Sequence, residues 1–217
     1  MKRLIVLLGA VGVSASAILV RWSTAPSLVL VLYRSAIASL ILTPYVLLRH
    51  RRELFAIRRR ELLLCLASGV FLGFHFAAYF SALRYTAIAS AVLLVDLEVF
   101  FVALCTVLLF RQKLPSLAWV AIVLTFGGSV LVAFADTGAG SDPLRGNLTA
   151  LAGAFCMAVY TMIGAVCRKR VSTSVYTFLV YTCAALTVLA APSRILTMGE
   201  ATYLPTYCFA SARSLTN

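Results

Sequence analysis

Apolar residues run in long stretches along this chain, without alternation of period two, and short clusters of arginine and turn-forming residues separate them. Seven stretches stand out, at residues 4–20, 27–48, 62–83, 86–110, 117–134, 148–166 and 174–191, together about 140 of the 217 residues. Each approaches the roughly 20 residues a helix needs to cross a bilayer. Hydrocarbon offers no partner to backbone amides and carbonyls, so only helices or closed barrels cross it, and the missing alternation excludes barrel strands. The pattern predicts an all-α, polytopic transmembrane helix bundle of about seven helices. Glycines inside the stretches (Gly9, Gly12, Gly69, Gly73, Gly127, Gly128, Gly153, Gly164) suit close packing, and Gly69 and Gly73 have the small-xxx-small spacing that lets two backbones approach.

Composition agrees. Hydrophobic residues make up 62% and charged residues 12%, against about half and a quarter in soluble domains, and the mean hydropathy is +1.00. The short loops leave no room for a soluble catalytic or ligand-binding domain. The net charge of +12 would suggest nucleic acid in a soluble protein. Here the basic residues sit in clusters between apolar runs, which excludes that partner and changes the question to orientation. With the amino terminus inside, Lys2, Arg3, the six arginines of residues 49–60, Arg111, Lys113 and Arg168 to Arg170 all fall inside, thirteen of the nineteen basic residues. Lysine and arginine are retained on the cytoplasmic side, so the reading is a plasma (inner) membrane protein, multi-pass, with a cytoplasmic amino terminus. The alternative, a secretory signal cleaved after Ala15-Ser16-Ala17, conflicts with the apolar run continuing through Ile18-Leu19-Val20.

Comparing the chain with itself aligns the first stretch with the sixth at an offset of 144, matching Leu4 to Leu148, Leu7 to Leu151 and Gly9-Ala10 to Gly153-Ala154. The second aligns with the seventh at 148, matching Tyr33 to Tyr181, Ala36 to Ala184 and Pro44 to Pro192. Five helices separate the two copies, and an odd number inverts the second. Inverted repeats are the architecture of secondary transporters, with the substrate site near the midplane where the repeats meet. The division predicted is a five-helix repeat at 1–136, a partial inverted repeat of two helices at 148–192, and an unmatched tail at 193–217.

Several segments carry a family resemblance: Ser14-Ala15-Ser16-Ala17-Ile18-Leu19-Val20-Arg21, Tyr33-Arg34-Ser35-Ala36-Ile37-Ala38 with Pro44, Ala82-Leu83-Arg84-Tyr85-Thr86-Ala87-Ile88-Ala89-Ser90-Ala91, Gln112-Lys113-Leu114 before Trp119, and Gly127-Gly128. In that order they resemble the EamA-type members of the drug/metabolite transporter superfamily. The resemblance implies ten helices in two inverted repeats and secondary transport, often export, of small metabolites, amino acids or drugs. The family often has a proline after a polar residue in the fourth helix, where this chain has Val99 after Glu98, so the resemblance leaves its kink open here. Gln112 stands where the family often has glutamate. Two full copies would take about 285 to 290 residues by the repeat offsets, so the expectation is a truncated or frameshifted chain whose activity depends on what it lacks.

Four ionisable residues fall inside the stretches: Arg34, His75, Asp96 and Glu98. At 1.5 Å per residue they lie roughly 10, 12, 15 and 18 Å below the outer boundary. The fourth stretch shows the magnitude: its fifteen Leu, Ile, Val and Phe residues contribute at most roughly −5 to −9 kcal/mol to insertion, and its two acids cost about 5 to 7 kcal/mol. Such acids are protonated, paired or facing a wet cavity, and an intramembrane ionisable group is a functional hypothesis by default. Asp96 and Glu98, two residues apart, point about 200° from each other on a regular helix. One would then pair with Arg34. The family's proline-flanking positions fall near Glu98, so the resemblance favours Glu98 as cavity-lining, with Asp96 or His75 as proton carriers. The structural alternatives stand beside these: Arg34 as a clamp between helices, His75 as a hydrogen-bonded packing residue, Tyr33, Tyr79, Trp22 and Trp119 as packing or interfacial anchors.

Cys65, Cys105, Cys156, Cys167 and Cys183 have no C-x-x-C spacing and read as small buried hydrophobes, with no metal site. The sequon Asn147-Leu148-Thr149 abuts the sixth stretch. No catalytic residue and no cofactor is expected; the partners expected are the lipid bilayer and a small-molecule substrate, and a homodimer is left open. A seven-helix receptor would place the amino terminus outside, against the charge pattern. An intramembrane enzyme would need a nucleophile or carboxylate pair at matched depth, and no serine is linked by spacing to His75.

Overall fold

Pro26 precedes a 23-residue helix, α1 (Ser27–Arg49), and no amide is lost there because the first turn of a helix has no internal partner for its N–H groups. The computed structural model describes residues 12, 15–16, 18–20, 22–23, 25–108, 111, 115–135 and 140–190. After α1 come α2 (Arg51–Ala56), α3 (Arg59–Tyr85), α4 (Ile88–Asp96), α5 (Glu98–Leu108), α6 (Ser116–Ala135), α7 (Pro143–Cys167) and α8 (Thr173–Leu189). Six of the seven expected spans coincide with these elements, α4 and α5 forming one. The first span and the 193–217 tail lie largely or wholly outside the described residues, as do Gln112 and Pro192; Gly12, Ala15, Ser16, Ile18 to Val20 and Trp22 are helical. Among the described residues, four helices are long and apolar enough to cross a membrane, taking Ile88–Leu108 as one, and Ser116–Val132 and Thr173–Leu189 are shorter apolar helices. The protein is a multi-pass membrane helix bundle.

The bundle is organised around α3, which packs most extensively on α7 and then on α8, while α8 also covers α1. Lipid tails are as apolar as leucine, so association here rests on close packing and interhelical hydrogen bonds rather than on escape from water. The Gly69 and Gly73 face of α3 supplies the packing. A Cβ at Gly69 would lie 2.5 Å from Cys183 Cβ and 2.8 Å from the Val180 carbonyl oxygen, and one at Gly73 would lie 3.3 Å from the Ala184 carbonyl oxygen. Gly12, Gly127 and Gly128 do not share this role, having nothing within 4 Å among the described residues. Hydrogen bonds supply the second contribution. The Tyr176 hydroxyl on α8 bonds Ser68 of α3 at 2.6 Å in a buried setting. Ser39 of α1 meets Thr182 of α8 at 2.6 Å; the Thr182 hydrogen goes to the Phe178 carbonyl, so Ser39 donates.

Two of the expected loops carry helical structure. The external loop expected at residues 136–147 gives up its second half to α7, where Asp142 caps the helix by accepting from the Arg145 amide at 3.1 Å and Pro143 occupies the first turn. Asn147 is thereby inside a helix, its side-chain oxygen accepting from the Thr86 hydroxyl at 2.9 Å. At the opposite end, the arginine-rich loop holds α2. Glu53 on α2 accepts from the Ser172 amide at the start of α8 at 2.5 Å and meets His50 Nδ1 at 3.2 Å, and Glu61 meets Arg170 at 3.5 Å. Burial pushes the Glu53 carboxyl up, but the Ser172 amide and His50 outweigh it and hold the group below its ordinary value of 4.5.

Candidate functional site

The fourth span is the one broken helix near mid-depth among the described residues. α4 ends at Asp96, Leu97 forms a turn, and α5 begins at Glu98. Neither proline nor glycine causes the break. Leu97 keeps φ −62° but its ψ opens to −1°, and its amide turns to the Val95 carbonyl, so the Leu93 carbonyl loses its regular partner. The buried Ser129 hydroxyl of α6 reaches that oxygen at 3.4 Å. A side chain entering the ladder in this way is an established cause of a kink, and it satisfies a group that lipid cannot. The fourth span is therefore interrupted even without the family's proline, and a neighbouring serine meets the carbonyl that the interruption frees.

The break changes the relation of the two acids. The 200° separation assumed a continuous helix; across the turn, the Asp96 carboxylate lies within electrostatic reach of Glu98. Asp96 is exposed and Glu98 is half-buried. The Oε2 of Glu98 is shut away from solvent and has no hydrogen-bond partner among the described residues. The Tyr160 phenol of α7 is within electrostatic reach of Glu98, and its ring stacks on Tyr176 at 6.3 Å between centroids.

Arg34 pairs with neither acid among the described residues. Its guanidinium sits over the Phe76 ring, 4.4 Å from the centroid, with Phe80 at 5.9 Å, and donates to Ser16 Oγ at 3.4 Å. The quadrupole of an aromatic face attracts a cation, and two α3 rings and the first span thus hold the charge that was expected to meet Glu98 or Asp96. His75 is buried on α3 and donates from Nδ1 to the Gly153 carbonyl of α7 at 3.0 Å. Tyr79 stacks on His75 at 6.1 Å, and its phenol lies within electrostatic reach of both Arg34 and Asp96. Of the four expected residues, His75 is thus joined to Tyr79 by stacking, Tyr79 is within electrostatic reach of Arg34 and Asp96, and Glu98 is within reach of Asp96 and Tyr160.

Beside these residues a cavity of about 370 Å³ opens between α4–α5 and α6, lined by residues that include Asp96, Leu97, Phe100, Thr106, Ile122 and Thr125. Asp96 rather than Glu98 lines it. The sequence pattern marks Tyr79 only as an anchor and does not single out Tyr160. Depth would have found the latter: counted from residue 148, it lies roughly 18 Å into its span, level with Glu98.

The sequence profile of the EamA-like transporter family matches residues 2–134, more than half of the chain. The chain belongs to this family. Among its EamA-type relatives are the pseudopaline exporters CntI of two strains of Pseudomonas aeruginosa, each 29% identical over 111 residues, which is 51% of this chain and 38% of the relative. The chain therefore spans well under half the length of the curated relatives it matches. The region matched by the family profile covers α1 to α6, and so includes Arg34, His75, both acids and the broken fourth span.

Proposed function

We propose that the chain works as a secondary transporter, exporting small metabolites, amino acids or drugs by alternating access, with protons as the coupling ion. Family membership supports transport, and the exporter function named for the relatives supports the direction. The single observation that carries the mechanism is the break at Leu97, which puts two carboxylates at the ends of two half-helices, with Glu98 Oε2 unpartnered among the described residues. Half-helix ends near the bilayer centre are where transporters place coupling ions and substrates. In this reading the two inverted repeats meet where α3 packs on α7 and α1 on α8, the amino terminus faces the cytoplasm, and the membrane is the plasma membrane. Asp96, at the cavity, and Glu98, without a partner, carry the proton between them, while Arg34 and His75 hold the helices in place.

The test uses inverted membrane vesicles energised with a proton gradient, to which a panel of amino acids and small metabolites is added in turn. A substrate should dissipate the gradient in vesicles with the wild-type chain. Glu98→Gln should abolish that response while insertion, followed by protease protection, is unchanged. Full dissipation in the variant would remove Glu98 from the mechanism, and no response to any compound in the wild type would count against proton-coupled export.

A further inference from the structure

The arginine-rich end of the bundle has a feature that transport does not use. α2 is only 6 residues long, and His50 (φ −124°, ψ 14°) interrupts the helical path between it and α1, so it leaves the line of the span. One side of α2 is fixed to the bundle by Glu53 on the Ser172 amide and by Leu54, which packs on the core together with the following Ile57. Its other side presents Arg51, Arg52 and Phe55, all exposed. Phe55 is 83% exposed and Leu48, two residues before the interruption, is 86% exposed.

Charge makes the surface specific. Arg58, Arg59 and Arg60 follow immediately and are exposed. The two acids of this segment do not neutralise it, because Glu53 is taken by Ser172 and His50, and Glu61 by the Arg58 amide and Arg170. Among the described residues no carboxylate pairs with Arg51, Arg52, Arg59 or Arg60. A short helix between two spans, with large apolar side chains beside unneutralised guanidiniums, has the composition of an element seated at the headgroup boundary of a charged leaflet. We infer that α2 is an interfacial anchor that binds anionic phospholipid headgroups through Arg51, Arg52 and Arg58 to Arg60, with Leu48 and Phe55 entering the acyl boundary. The internal engagement of Glu53 and Glu61 turns the basic side of the segment toward the lipid.

The full chain in nanodiscs tests this. Phe55→Trp, made with Trp22 and Trp119 replaced by phenylalanine, should be quenched by brominated acyl chains and shielded from iodide. In detergent micelles doped with phosphatidylglycerol, native mass spectrometry should show retained lipid that falls on the order of tenfold in Arg51→Gln/Arg52→Gln and also falls with added salt. Arg145→Gln, at the other end of the bundle, should leave it unchanged. A tryptophan at position 55 quenched by iodide and untouched by brominated lipid would overturn the insertion and indicate a water-soluble partner for this face. Equal lipid retention in the wild type and the double variant would overturn the headgroup site.

Discussion

A methyl group added at Gly69 would land 2.5 Å from Cys183 Cβ and 2.8 Å from a backbone oxygen of α8, and the backbone cannot step aside without moving the helix. Gly69→Ala should therefore destabilise the purified protein by about 1 to 3 kcal/mol, the usual cost of overpacking. Gly127→Ala, with nothing within 4 Å among the described residues, should change little. Thermal aggregation followed by size-exclusion chromatography would separate them, and equal loss in both would mean that α3 and α8 do not pack as described. The two glycines look alike in the sequence, since spacing signals a capacity for close approach but does not name the partner. The same limit governed Arg34. Its depth was legible, whereas its pairing was not, because the Phe76 and Phe80 rings that hold it are ordinary apolar letters in a span.

Two elements escaped the pattern of apolar stretches, for different reasons. The helix α2 is shorter than any window that reveals periodicity, and its order comes from a contact with Ser172, 119 residues from Glu53. The break at Leu97 has no breaker residue, and the group that meets its freed carbonyl is Ser129 on another helix. The Glu53 contact makes a pH prediction at this scale. Its carboxyl is held below 4.5 in the folded protein, so the contact is at full strength above that value and is lost as pH falls through the lowered one. The group is partly exposed, which screens the effect and makes it local rather than global. Spin labels on α2 and on the loop before α8 should show a distance distribution that broadens below about pH 4.5 in the wild type. In Glu53→Gln the broad distribution should be present at every pH; a narrow one at pH 7 in that variant would show that other contacts hold α2.

At the scale of the whole molecule, the spans were legible because hydrocarbon imposes length and composition on each of them, and family membership rests on those same residues. The hydrogen bonds that join α3 to α7 and α8 were not legible, because each uses at most one polar side chain per helix. The Ser68 and Tyr176 pair tests that junction. A double-mutant cycle with Ser68→Ala and Tyr176→Phe should give a coupling energy of about 0.6 to 2 kcal/mol, the range for interhelical hydrogen bonds in membranes, and a value near zero would show that the hydroxyls do not meet. These long-range partners also set a schedule for biogenesis. His75 bonds a carbonyl 78 residues downstream and Ser68 a phenol 108 residues downstream. A ribosome adding about 5 to 20 residues per second reaches those partners roughly 4 to 20 s after α3 has emerged. During that interval α3 carries an imidazole and a hydroxyl with no helix to receive them, and the insertion machinery or bound water must shelter it until α7 and α8 arrive.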